Sequence, residues 1–259
     1  MSTVSQQERN QLLHLWLSEY HYPFAGWDFS HLAGKMVEDH ALPWDYRATV
    51  CSHLNTAQSL LDMGTGGGEF LASLQPLPPA VYATEGYPPN IPVARQRLEP
   101  LGVRVVEVSE DGILSFQDQQ FDLVINRHES YEPQELFRVL KPSGHFVTQQ
   151  VGGLNNLDLN AALQASHADF GMTYWNLDYA VKQIENAGLR VLEQREAFPV
   201  TRFFDVGAIV YYLKVISWQI PDFSVEKYFE QLLELQRRIQ TDGNLRVSSH
   251  RFFIVARKP

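Results

Sequence analysis

The segment LLDMGTGGGEF, residues 60–70, sets a carboxylate, Asp62, just before glycines at 64, 66, 67 and 68. Glycines let a backbone turn tightly and approach a ligand with no Cβ in the way. A phosphate cradle is the first chemistry to weigh. The dinucleotide pattern G-x-G-x-x-G fails, because its third glycine would fall at Glu69. A Walker-type loop fails too, since no Lys-Ser or Lys-Thr pair follows the glycines. Asp62 and Glu69 would also repel a bound pyrophosphate. A cationic ligand suits the segment better. Asp62 at a strand tip can receive an ammonium, directly or through water, while the loop amides receive a carboxylate. Together these two contacts describe an amino-acid moiety.

Such a loop has to be held by a strand before it and a helix after it. The pattern predicts a strand over 59–63 and a helix from about 68 to 74. Further strands are expected at 80–84, 103–109, 121–126 and 145–151, with helices over 91–99 and 133–140. The turn KPSG stops the second of these helices. Strands alternating with helices argue for an α/β protein with a parallel, doubly wound sheet. Residues 1–57 read as helical and aromatic-rich, with helices over 6–20 and from about 43. Residues 152–177 are polar and turn-rich and look inserted. Then come a helix over 178–187 closed by Gly188, a strand near 189–197 and a very apolar helix over 205–218. Ser224 can cap a helix over 225–240, and a last strand is expected over 245–256.

These residues closely resemble the first motif of the class I S-adenosylmethionine-dependent methyltransferases, an apolar strand followed by D-x-G-x-G-x-G. Asp62, Gly64, Gly66 and Gly68 match it position for position. The resemblance extends over roughly residues 59–151, through the acid in ATEG, the stretch VSEDGILSFQDQQFDLVINRH and the helix, turn and strand of LFRVLKPSGHFVTQQ. It implies a Rossmann-like doubly wound seven-stranded sheet whose last strand is antiparallel, with a helical N-terminal lid (1–57) and an inserted cap. Residues 58–259 would form the methyltransferase domain, with 152–177 and the helices of 199–240 capping the substrate. S-adenosylmethionine is the implied cofactor, held by Asp62, Gly64, Thr65, Gly66, Gly68, Glu85, Gly86, Tyr87, Asn126 and an acid at Glu110 or Asp111. Glu85, 23 residues beyond Asp62, would accept both ribose hydroxyls. Tyr87 would lie against the adenine. Ser143 stands where the family's turn commonly has glycine.

The resemblance also points the transferred methyl toward Asn126-Arg127-His128-Glu129. Methyl transfer from a sulfonium is a direct displacement, which an enzyme helps mainly by alignment and by excluding water. His128 is the candidate base for a hydroxyl or ring-nitrogen acceptor, with Glu129 to orient it and Asn126 beside it; the alternative is that they tie the strand end to neighbouring loops. An N-P-P-Y signature is absent, as is the Asp-Asn pair of magnesium-binding members. Cys51 reads as a small buried residue in a helix. His21, His31 and His40 have no metal-ligand spacing, so no metal is expected. Tyr20, Tyr22, Trp27, Trp44 and Tyr46 could close over the cofactor. Tyr174, Trp175, the apolar helix and Arg202, Phe203 and Phe204 could wall an acceptor pocket, although aromatics at helical spacing serve equally as core.

The 259 residues, 44% hydrophobic and 12% aromatic, suffice for one sizeable core. One cysteine excludes an internal disulfide and a multi-cysteine zinc site. No apolar run approaches the ~18 residues of a membrane span, and the first 20 residues lack a signal-peptide pattern, so a cytoplasmic protein is expected. A net charge of −9 disfavours a nucleic-acid acceptor. Methylation of a small, apolar or aromatic acceptor is therefore expected. Ribosomal RNA methylation of the guanine-N1 type and non-catalytic sensing of the cofactor are the competing readings.

Overall fold

The computed structural model describes residues 5–24, 28–39, 41–108, 113–165 and 174–259. In chain order the elements are α1 (Gln6–Tyr20), β1 (Met36–Glu38), α2 (Tyr46–Leu54), β2 (Ser59–Met63), α3 (Glu69–Ala72), β3 (Ala80–Glu85), α4 (Ile91–Leu98) and β4 (Arg104–Glu107). There follow β5 (Phe121–Arg127), α5 (Pro133–Val139), β6 (Leu140–Val151), α6 (Leu157–Ala162), α7 (Leu177–Asn186) and β7 (Arg190–Ala197). The chain ends with β8 (Val200–Phe203), α8 (Val206–Val215), α9 (Phe229–Asp242), β9 (Leu245–Ser248) and β10 (Arg251–Arg257). Local chemistry sets several starts. Ser5 and Glu8 form a reciprocal capping box on α1, and the Asp45 and Asp205 carboxylates accept from Ala48 and Ala208 amides at 2.9 and 2.8 Å.

Seven strands form the main sheet in the order β4-β3-β2-β5-β6-β10-β7. The five from β4 to β6 are parallel, and β10 is antiparallel to both its neighbours. β2 is buried at all five positions, as an apolar strand covered on both faces must be. From β2 the chain moves outward to β3 and β4, then returns to β5 on β2's other side. The crevice at the carboxyl ends of β2 and β5 is therefore the switch point where doubly wound sheets hold ligands.

A second sheet, β1-β8-β9, joins the first and last parts of the chain. It corrects the reading of residues 1–57 as helical, because Met36–Glu38 pairs antiparallel with Thr201–Phe203. It also divides the expected last strand. Leu245–Ser248 belongs to the small sheet and Arg251–Arg257 to the large one, with Ser249 and His250 between. The expected turn KPSG is instead a bulge inside β6: two residues of β5, Phe121 and Leu123, face Leu140 and His145. Ser143 there takes φ 65°, a conformation that favours glycine. The helix after the glycine loop spans four residues, shorter than the pattern suggested.

The apolar helix α8 mainly builds core, and its Tyr211 borders a small cavity of about 250 Å³ shared with Tyr22, Phe24 and His31. Val206, Ile209, Tyr211 and Leu213 are buried in a core shared with Trp16, Phe203 and Leu232, and Tyr20 packs against that core. Tyr22 stacks on His31, with ring centroids 3.7 Å apart, and edges against Tyr211. Trp44 and Tyr46 instead pack on Phe253 under the main sheet, where Cys51 also sits. Trp27 and His40 lie outside the described residues. No helix among those described is long and apolar enough to cross a membrane.

Candidate functional site

Parallel pairing brings the two predicted carboxylates together. Asp62 lies opposite Ala83, so Asp62 and Glu85 stand near the tips of neighbouring strands, 5% and 3% exposed. The loop between β2 and α3 folds over them. Gly64 and Gly68 take φ 66° and 82°. A Cβ at Gly68 would sit 2.7 Å from Leu98 Cγ, and one at Gly64 would sit 2.5 Å from Glu129 Cβ. Both positions therefore need glycine for conformation and for space.

Four of the loop amides are already engaged. Gly64 N donates to Thr84 Oγ1 at 3.3 Å, Thr65 N to Thr84 O at 2.8 Å and Gly68 N to Thr65 O at 3.0 Å, while Gly66 N bonds the Glu85 carboxylate. These four are therefore not offered to a ligand carboxylate. Their role is to fix the loop and to hold Glu85, which also accepts from Tyr87 N at 2.7 Å. Thr65 Oγ1 donates to Asp62 at 2.7 Å.

The site is short of positive charge. Burial pushes Asp62 up to about 7; the Thr65 hydroxyl and the field of Arg127 oppose this and Glu85 adds to it. Glu85 is raised as well, chiefly by burial, and Glu129 adds to the shift. Two buried carboxyls with raised affinity for protons suit a ligand that brings its own cation.

At the end of β5, Asn126 is fully buried. Its Oδ1 accepts from Gln150 Nε2 at 2.7 Å and Thr148 Oγ1 at 3.3 Å, and its backbone carbonyl accepts from Tyr46 OH at 3.1 Å. Asn126 Nδ2 is left as a buried donor with no partner among the described residues, and so is the Tyr131 hydroxyl. His128 takes φ 67°. Trp44 Nε1 donates to Gln149 Oε1 at 2.8 Å, so the other end of that amide donates to His128 Nε2 at 3.1 Å. The ring is thereby assigned its proton on Nδ1. Burial among protein groups, with the fields of Arg251 and Arg127, pushes its pKa down to about 3.

These facts correct the assignment of His128 as a base poised near neutral pH. Its lone pair is engaged and its cation is disfavoured. Glu129 does not orient it either: that side chain turns back onto Gly64 and accepts from Ser130 N at 3.0 Å.

Beside the strand ends lies a cleft of about 790 Å³, lined by Trp44, Tyr46, Phe70, Arg127 and Gln149 among others. Asp62, Gly64, Thr65, Gly66, Gly68, Glu85, Gly86, Tyr87, Asn126, His128 and Glu129 all sit on the loops and strand tips at one edge of the sheet. Tyr87 is 49% exposed there. Glu110 and Asp111 lie outside the described residues. Thr84, Thr148, Gln149 and Gln150 belong to the site without having been expected there, and Arg127, named only as part of the segment 126–129, had no role of its own. Polar residues ending an otherwise apolar strand, as in HFVTQQV, were the signal for three of them.

Residues 61–148 match the family model of a methyltransferase domain. Protein-L-isoaspartate O-methyltransferase 2 of Pelobacter propionicus is 33% identical over 124 residues, 42% of this chain. The chain spans 55% of that relative's length. An inferred methyltransferase from Bacillus halodurans C-125 has the same fold, with TM-score 0.59 and 20% identity over 82% of this chain and 98% of its own. A functionally unknown protein from Deinococcus radiodurans R1 shares it over 98% of this chain and all of its own, with TM-score 0.59 and 15% identity.

Proposed function

We propose that the chain is a class I S-adenosylmethionine-dependent methyltransferase and that it moves the methyl group of that cofactor to a small organic acceptor held in the cleft beside Asn126. The observation that carries this reading is the pairing of buried Asp62 and Glu85 at neighbouring strand tips under a glycine loop. Raised carboxyls suit a cationic, phosphate-free molecule and would repel a pyrophosphate.

The residues present fit the cofactor. Asp62 would hold the amino-acid ammonium, and Glu85 would accept the ribose hydroxyls, backed by the Tyr87 and Gly66 amides. Tyr87, half exposed, is free to lie against the adenine. Asn126, its Oδ1 committed to Gln150 and Thr148, offers a buried N–H to the reacting end of the site. The bound cofactor supplies an electrophilic methyl on a cationic sulfur. The protein aligns acceptor and methyl, keeps water away and needs no metal for a displacement of this kind.

The cleft favours a small acceptor. Its volume lies within the ~300–1,000 Å³ range of small-molecule sites, and Trp44 and Phe70 offer flat apolar surface. The net charge of −9 favours such an acceptor over nucleic acid. The relative named for acting on isoaspartate in proteins shares under half of this chain, so a protein acceptor rests on that partial likeness alone. Calorimetry with S-adenosylhomocysteine, followed by an acceptor screen with isotopically labelled S-adenosylmethionine, tests the proposal. Micromolar binding lost in Asp62→Ala and Glu85→Ala is expected. No binding, or binding that ignores both substitutions, overturns it.

A further inference from the structure

The charged side chains lining the cleft can be matched one by one. Glu38 faces Arg251 Nη2 at 3.7 Å. Asp45 caps α2 through the Ala48 amide. Arg47 donates to the hydroxyl and carbonyl of Ser73, both at 2.6 Å. Arg127 differs from these. Among the described residues no carboxylate lies in ion-pair reach of it, and its guanidinium sits over the Phe70 ring, 5.8 Å from the centroid. A ring beneath a guanidinium leaves its edge of N–H donors facing outward, the geometry that receives a carboxylate with two parallel hydrogen bonds.

Two further observations bear on what this guanidinium could receive. The amides of Gly64, Thr65, Gly66 and Gly68 are engaged within the protein, so these four are not offered to an amino-acid carboxylate and a side-chain donor nearby gains weight. The field of Arg127 also reaches Asp62, Tyr46 and His128, which puts the guanidinium at the junction of the cofactor loop and the cleft. We propose that Arg127 is the carboxylate-binding residue of this cleft, receiving an organic carboxylate over the Phe70 ring. The proposal rests on the methyltransferase reading in one respect: the carboxylate belongs either to the amino-acid end of the cofactor or to an acidic acceptor. Both present the same group to the same donors.

Calorimetry on the full chain and its Arg127→Gln, Arg127→Lys and Phe70→Leu variants separates the two sources. The probes are S-adenosylhomocysteine, 5′-methylthioadenosine, which lacks the amino-acid end, and 3-phenylpropionate with its carboxamide. If the cofactor supplies the carboxylate, Arg127→Gln weakens S-adenosylhomocysteine about tenfold to a hundredfold and leaves 5′-methylthioadenosine unchanged. If the acceptor supplies it, Arg127→Gln leaves both nucleosides unchanged and abolishes the preference for 3-phenylpropionate over its amide. In either case Arg127→Lys retains part of the effect and Phe70→Leu reduces it. Arg127 is exposed on the cleft wall, and circular dichroism verifies that its variants fold. If Arg127→Gln binds S-adenosylhomocysteine as the wild type does, and no preference for acid over amide is seen, the proposal is overturned. Failure of the wild type to bind either nucleoside would instead sink the methyltransferase reading.

Discussion

His128 accepts a hydrogen bond on Nε2 from the Gln149 side chain at 3.1 Å, an amide whose oxygen is held by Trp44. The ring therefore has no free lone pair for an acceptor's proton. Relative to an unfolded chain, where histidine titrates near 6.5, the lowered pKa makes the folded state lose stability as pH falls below 6.5. Ring resonances of His128 in NMR should stay constant from pH 8 down to 5.5. A midpoint near 6.5 would return the histidine to the role of base.

Asp62 titrates in the opposite sense. Its folded pKa of about 7 exceeds the 3.8 of an unfolded carboxyl, so its contribution to stability is complete below pH 3.8 and lost as pH rises through 7. Between pH 5 and 8 the unliganded protein should lose a few °C of Tm more than Asp62→Asn does, as thermal scans would show. A cationic cofactor needs the charged form, so its affinity should rise over the same interval. Parallel pH curves for wild type and variant would remove Asp62 from both effects.

Glu85 is buried and held by two backbone amides, which fix its carboxylate for a bidentate contact. Glu85→Gln keeps the shape and removes an acceptor. It should weaken S-adenosylhomocysteine about tenfold or more, and adenosine by the same factor, since both carry the ribose. A loss confined to S-adenosylhomocysteine would place Glu85 elsewhere on the ligand.

Gly68→Ala should destabilise the fold by roughly 1–3 kcal/mol, because φ 82° strains a Cβ and Leu98 stands 2.7 Å from it. Urea denaturation measures this directly. Gly102→Ala is the control: it shares φ 82° but has nothing within 4 Å of the added Cβ, so the excess cost at Gly68 reports the contact with Leu98.

Trp16 is 1% exposed and meets Phe229 with ring centroids 5.5 Å apart. If α1 is built into the body rather than closing over it, Trp16→Ala should cost about 3–5 kcal/mol in a single cooperative transition. Unchanged Tm with altered cofactor affinity would instead mark α1 as a detachable cover.

Much of this was legible in the sequence because the information was local. An apolar strand ending in Asp62, glycines at fixed offsets and Glu85 on the following strand are consecutive features of the chain. A parallel sheet brings consecutive strand tips side by side without further instruction. The small sheet was not legible in the same way. Met36–Glu38 is three residues long, and its pairing with residues 201–203 carries no signal in either segment alone. The apolar helix Val206–Val215 announced its burial but not its neighbour, and a core position and a pocket wall share one composition.

The sequence by itself determined that the loop suits a cationic, phosphate-free ligand, because charge and the lack of Cβ atoms act wherever the loop is placed. The tertiary structure decided which groups remain available to a ligand. Side-chain pairing across distant segments gave Gln149 to Trp44 and His128, Thr84 to the glycine loop and Gln150 to Asn126, and left Arg127 over Phe70 facing the cleft. A hydrogen-bonding group can be offered to a ligand only if nothing within the fold has already claimed it, and that accounting exists only once the chain has closed on itself.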